Sequence, residues 1–230
     1  MPPASDQELT VPTYLSRVYW WAYVHPRAVY LFERQWLVNL ILWGNFARLR
    51  ETALDALGPG LEGRTLQIAC VYGDLTPRLV ARLTPDARLD VVDILPIQLQ
   101  NLAAKLPNAN AATLICGDSA ALPCESARYD RALLFFLLHE QPEEVRRRTL
   151  AEALRVVRPG GQVIIVDYHR PHLLHPLYLP MVAILGALEP FALELWRHEI
   201  THWLPADRPV AAISVRTSFG GLYQLVTITV

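Results

Sequence analysis

From Thr65 onward the chain alternates between short β-rich runs and helical segments, and this alternation restricts the fold more than any other feature. TLQIACV, RLDVVDI, ATLIC, RYDRALLFFLL and QVIIVDY are the strand-like runs; TPRLVARL, PIQLQNLAAKL and PEEVRRRTLAEALRVV lie between them. Strands that alternate with helices pair in parallel, because each crossover returns the chain to the same end of the sheet. In the third helix Pro142, Glu143 and Glu144 suit the positive N-terminus, and Pro159-Gly160-Gly161 is expected to close it. An apolar helical region is expected from about Leu177 to His198. PVAAISVRT and LYQLVTITV, separated by Ser218-Phe219-Gly220-Gly221, predict a hairpin-like antiparallel pair at a sheet edge. Before the alternation begins, residues 19–57 carry apolar side chains in helical rhythm (Trp36, Leu37, Leu40, Ile41), and a second amphipathic run ends at Gly58-Pro59-Gly60. The expected division is a tail and helical aromatic cap over 1–57 and a Rossmann-like sheet domain over 58–230.

With 230 residues, there is room for one sizeable domain with an appendage. A net charge of −1 provides no basic field for a phosphate backbone, so nucleic acid is excluded as a first expectation. The hydrophobic share of 52% against 19% charged residues excludes a disordered chain and implies a large core or a lipid-like partner. Cys70, Cys116 and Cys124 form no Cys-x-x-Cys pair; buried, reduced thiols in a cytoplasmic compartment are expected. The first twelve residues, MPPASDQELTVP, lack a basic region and an apolar stretch, so no secretory signal is expected. No protein partner is called for.

Ligands of open α/β sheets gather at the carboxyl ends of the strands. There the first strand leads into Ala69-Cys70-Val71-Tyr72-Gly73-Asp74, with Thr76 placed as an N-cap and Pro77 as the first helical residue. Gly73 permits a tight turn and close backbone approach. Twenty residues later Asp93 ends the second strand, where a carboxylate suits a ribose diol, and Gly117-Asp118-Ser119 follows the third.

In their order and spacing these residues resemble the class I fold of S-adenosylmethionine-dependent methyltransferases over residues 60–230. The resemblance implies that Asp93 binds the ribose hydroxyls, that Ile94 packs on adenine, that Asp118 and Ser119 meet its amino group, and that Ala69, Tyr72, Gly73 and Phe135 complete the donor site. One departure stands out. Where the family has an acidic residue and three glycines, this chain has Gln67, Ala69, Val71 and Gly73, so backbone approach is crowded and a negative charge is lost. A narrower resemblance, carried by TYLSRVYWWAYVHPRAVYLFERQWLVNLILWGN, ACVYGDLT, FFLLHEQP and DYHRPHLLHPL, is to the RquA family of rhodoquinone biosynthesis proteins. It implies that S-adenosylmethionine donates an amino group to a ubiquinone-type prenylated quinone, replacing a methoxy group with manganese(II) assistance. A conventional methyltransferase acting on an apolar molecule, or an inactive module that only binds the donor, remains open on the residues themselves.

The histidines supply the expected proton chemistry. His139 follows the fourth strand and His169 the fifth, and both are candidate catalytic groups. His169, His172 and His175 form a spaced trio beside Asp167 and Tyr168, a candidate for metal or acid–base work, although the metal ligands are not specified by the sequence. His198-Glu199-Ile200-Thr201-His202 matches the H-E-x-x-H zinc pattern, but Pro205 and the lack of a third ligand make it incidental. The apolar stretches 28–46 and 177–196 are interrupted by Glu33, Arg34, Glu189 and Pro190, too costly for a span. The aromatic cluster Trp20, Trp21, Tyr23, Tyr30, Trp36 and Trp43 is expected to share its duties between core and the membrane interface, placing the protein peripherally on the inner face of the cytoplasmic membrane.

Overall fold

The computed structural model describes residues 11–19, 29 and 31–230. Trp20, Trp21, Tyr23 and Tyr30 lie outside the described residues. A seven-stranded sheet is built in the order β3-β2-β1-β4-β5-β7-β6 from β1 (Arg64–Ile68), β2 (Arg88–Asp93), β3 (Thr113–Cys116), β4 (Tyr129–Phe135), β5 (Val157–Tyr168), β6 (Ala212–Ser218) and β7 (Tyr223–Thr229). β1 to β5 pair in parallel, while β7 runs antiparallel to both β5 and β6. The predicted terminal pair is present, but β7 is inserted beside β5, so only β6 forms the edge.

Period-two alternation divides β4 between two cores. Leu133 and Phe135 face a layer made by α3 (Phe46–Leu57), α7 (Tyr178–Leu188) and α8 (Pro190–Leu195), through Phe46, Leu49, Met181, Leu185 and Ala192. Ala132 and Leu134 face α6 (Glu143–Val156), through Leu150, Ala153 and Leu154, with Trp203 beyond. The shorter helices are α1 (Thr13–Val18), α2 (Gln35–Ile41), α4 (Leu75–Val80) and α5 (Pro96–Ala103). α3 ends at Gly58, whose φ of 108° fits the predicted Gly-Pro-Gly stop.

Four local expectations are corrected. α4 starts two residues earlier than expected, with Asp74 at its N-cap position, and the buried Thr76 hydroxyl donates instead to Gln67 Oε1 at 2.9 Å. α6 passes directly into β5 at Val157 without a glycine cap. Pro159-Gly160-Gly161 lies inside β5, where a register shift brings the backbone of Asp130 so close that a Cβ at Gly161 would sit 2.6 Å from its carbonyl oxygen. The apolar region after Leu177 is two helices broken at Glu189-Pro190, as a proline at a first helical position requires. Cys116 is exposed, not buried; all three cysteines are free.

Candidate functional site

A cavity of about 640 Å³ opens at the carboxyl ends of β1, β2, β4 and β5 and is walled mainly by apolar side chains. On one side the strand ends supply Ala69, Tyr72, Asp93, Ile94, Asp118 and Ser119; on the other lie Phe135, His139, Glu140, Tyr168 and Glu189. Of the ten predicted site residues, Gly73 and His169 are not among those lining it.

Asp93 is held in place by the loops around it. Its Oδ2 accepts the Cys70 amide at 2.7 Å and its Oδ1 the Leu95 amide at 2.8 Å, and the carboxylate lies on the cavity wall. Burial raises its pKa, and the backbone donors of Cys70 and Leu95 work against that rise. Asp118 Oδ1 accepts the Ala120 amide at 2.8 Å, and Ser119 Oγ lies 3.0 Å from Thr149 Oγ1. Tyr72 accepts a hydrogen bond from Gln98 Nε2 at 2.8 Å and stacks on Phe32.

The loop after β1 differs from a ligand-hugging glycine turn in a way its side chains explain. Ala69 adopts φ 71°, unusual without glycine, and its amide donates to Val92. Gln67, fully buried, is satisfied within the protein: it takes the Thr76 hydroxyl and donates to the Ala69 carbonyl. Gly73 has φ 82°, and a Cβ there would come within 2.9 Å of the Phe46 ring. The close approach that needs this glycine is therefore to α3. Glu33 accepts the Gly73 amide at 3.1 Å, and Lys105 joins Glu33 to the Val71 and Gly73 carbonyls.

Opposite this loop, a 3₁₀ turn at Leu138–Glu140 presents His139. Its Nδ1 lies 2.8 Å from Asp167 Oδ1, and the fully buried Asp167 also accepts amides from Leu138, His139 and Tyr168. His139 Nε2 faces Glu140 at 3.8 Å and Glu189 at 4.0 Å. Burial disfavours the imidazolium, but Asp167, with Glu189 and Glu140 behind it, outweighs that penalty and lifts the pKa to about 9. Burial raises the Glu189 pKa, with His139 and Tyr19 opposing. The turn is clamped from below by Arg146, fully buried, which donates to the carbonyls of Leu138, Gln141 and Phe191 and stacks over Trp203. The His139–Asp167 pairing was not foreseen; an aspartate ending the apolar run QVIIVDY was the available signal.

His169 is turned elsewhere, with Nδ1 2.7 Å from the Gly221 carbonyl and Nε2 3.6 Å from Glu199. Among the described residues no three His, Cys, Asp or Glu side chains are grouped so as to hold a metal ion. The His175 Nδ1 accepts the Leu177 amide, His198 stacks on His202, and Asp167 is filled by its four donors. The described residues gather no ligand set that fits manganese(II).

Comparison with known proteins accords with this geometry. A family described as "Methyltransferase domain" matches residues 65–161. Among solved structures, the N-methyltransferase NodS from Bradyrhizobium japonicum aligns with TM-score 0.57 at 16% identity, covering 80% of this chain and 95% of that one. A methyltransferase from Aquifex aeolicus gives 0.54 at 15%, covering 89% and 97%. The fold is that of the class I methyltransferases. Its chemistry is not uniform, since the [4+2]-cyclase SpnF has the same fold at TM-score 0.51 and 15% identity, covering 79% of each chain. Among curated sequences, the demethylmenaquinone methyltransferase of Renibacterium salmoninarum is 27% identical, covering 81% of this chain and 83% of its own. That of Staphylococcus aureus strain JH9 is 26% identical over 64% of this chain, which spans 60% of that relative.

Proposed function

We propose that this protein transfers the methyl group of S-adenosylmethionine to a reduced quinone or a similar apolar phenolic ring. The observation that carries the proposal is the juxtaposition, in one apolar cavity, of the Asp93–Asp118 wall with the His139–Asp167 pair. Asp93, at the end of β2, offers its carboxylate to the two ribose hydroxyls, Ile94 offers an apolar wall to adenine, and Asp118 and Ser119 supply acceptors for its amino group. The bound donor supplies an electrophilic sulfonium methyl. His139, in its neutral form, takes the proton of a ring hydroxyl; with a pKa of about 9 it is closely matched to a phenol near 10. The imidazolium is then held by Asp167 and stabilises the phenolate, whose electron-rich ring carbon takes the methyl group as the C–S bond breaks and S-adenosylhomocysteine leaves; the ring regains aromaticity when that carbon loses its proton to solvent and His139 returns its own to the oxygen. Phe135, Phe136 and Tyr168 exclude water around the ring. The quinone-directed relatives support this substrate class, and a long-tailed quinone brings the protein to the inner face of the cytoplasmic membrane as a peripheral enzyme.

A second reading, amino transfer to ubiquinone with loss of methoxy, is favoured by one observation: Gln67, Ala69 and Val71 stand where the family's acidic and glycine positions would meet the methionine end. S-Adenosylmethionine labelled with carbon-13 at the methyl and nitrogen-15 at the α-amine separates the two. Carbon label in the quinone product is the expected result. Nitrogen label with methoxy lost would overturn methyl transfer in favour of the second reading.

A further inference from the structure

The large apolar side chains exposed among the described residues are not scattered. Apart from Ile213 and Val215 on β6, all fall in two segments, 31–43 and 173–188. Leu174 is 97% exposed, Leu179 75%, Leu40 65% and Trp36 60%. α2 buries none of its residues, and α7, which has no charged side chain, buries only Met181 and Leu185. A helix apolar on every side normally lies inside a core or a bilayer, and α7 is largely uncovered.

The two segments meet at the cavity. Trp43 Nε1 donates to Met181 Sδ at 3.1 Å, joining the end of α2 to α7. Leu40, Ile41, Trp43, Ile184 and Leu188 both line the cavity and are exposed, so they form its mouth. Arg48 and Arg170 are exposed beside these segments, and the sequence has no carboxylate between Arg34 and Arg48 or between His169 and Leu188; Glu33, within the first segment, is paired with Lys105, and Glu189 directly follows the second.

We propose that this surface, α2 and α7 with the turn at Leu173-Leu174, seats on an anionic phospholipid bilayer and opens the cavity directly to the hydrocarbon. The inference deepens the quinone reading and rests on it only for the identity of what enters. Trp36 and Trp43 sit at headgroup depth, where indole rings are favoured, and the leucines enter the acyl boundary. The arginines meet lipid phosphate. No helix among the described residues is long and apolar enough to cross a membrane, so seating is lateral.

The test is co-sedimentation of the full chain with phosphatidylcholine vesicles and with vesicles enriched in phosphatidylglycerol. Wild type is expected to bind the anionic vesicles more tightly. The double variant Leu174→Glu, Leu179→Glu is expected to lose about a hundredfold or more, since each leucine kept out of hydrocarbon forfeits about a decade of affinity or more. Trp36→Glu should weaken binding from the other segment, and Ile213→Glu on β6 should bind as wild type does. Thermal melting of each variant and turnover of a short-tailed quinol without vesicles report folding and the proposed reaction separately, so failure of one reading is distinguishable from failure of the other. Vesicle binding unchanged in the double variant, or equally lost in Ile213→Glu, would overturn the proposal. So would absence of binding by wild type, whether or not the face then pairs with a second copy of this chain.

Discussion

His139, the proposed base, combines burial, a fixed carboxylate behind one ring nitrogen, and two further carboxylates facing the other. Its elevated pKa, about 9, leaves the neutral base a minor species at pH 7. The expected consequence is a kcat/KM that climbs about tenfold per pH unit and levels near 9. A profile flat from pH 6 to 9 would contradict the assignment. His139→Gln should lower turnover by about 10²- to 10⁴-fold with little change in donor affinity. Asp93 predicts the opposite pattern. Asp93→Ala should weaken S-adenosylmethionine binding by about 1 to 3 kcal/mol, read by calorimetry on a variant whose melting confirms an intact fold.

At the scale of elements, the short turn between β4 and α6 has little stability of its own and borrows it from Arg146 one helical turn into α6. The guanidinium fills the carbonyls on both sides of His139 and reaches Phe191 in α8. Burial pulls its pKa down, with Glu194 and Asp167 opposing, yet no substitute supplies three donors in a plane. Arg146→Met keeps the stem over Trp203 but leaves those carbonyls unsatisfied, and should cost about 3 kcal/mol in denaturant unfolding. Loss of the pH profile in the surviving folded fraction would follow, because the turn that aims His139 is then released.

Across the whole molecule, the same imidazole couples stability to pH. Its folded pKa of about 9 lies above the ordinary value of 6.5, so the stabilisation is complete below about 6.5 and is lost as pH rises through 9. The raised pKa of Glu189, caused first by burial, acts in the same sense at lower pH. Wild-type melting temperature should therefore fall between pH 6.5 and 9, and His139→Gln should flatten that fall; identical slopes in the two proteins would show that other groups set it. With His139 as the proposed base, activity and stability should change in opposite directions over one pH window.

Strand alternation, the terminal antiparallel pair and the acidic strand ends at Asp93 and Asp118 were all legible in the sequence, because they depend on local period and on position relative to a strand end. Long-range contacts were not. Gly73 looks the same in sequence whether it approaches a ligand or the Phe46 ring, and only packing of α3 against the β1 loop decides between them. His139 and His169 each follow a strand, and nothing local distinguishes them; β5 brings Asp167 beneath one, and the β7 hairpin engages the other through Gly221. The apolar stretch after Leu177 was visible as apolar, but whether it lies in the core or at the surface depends on how much of it other elements cover. Periodicity is a property of neighbours along the chain, whereas burial, pKa and exposure are set by residues tens of positions away, and for those the tertiary structure was required.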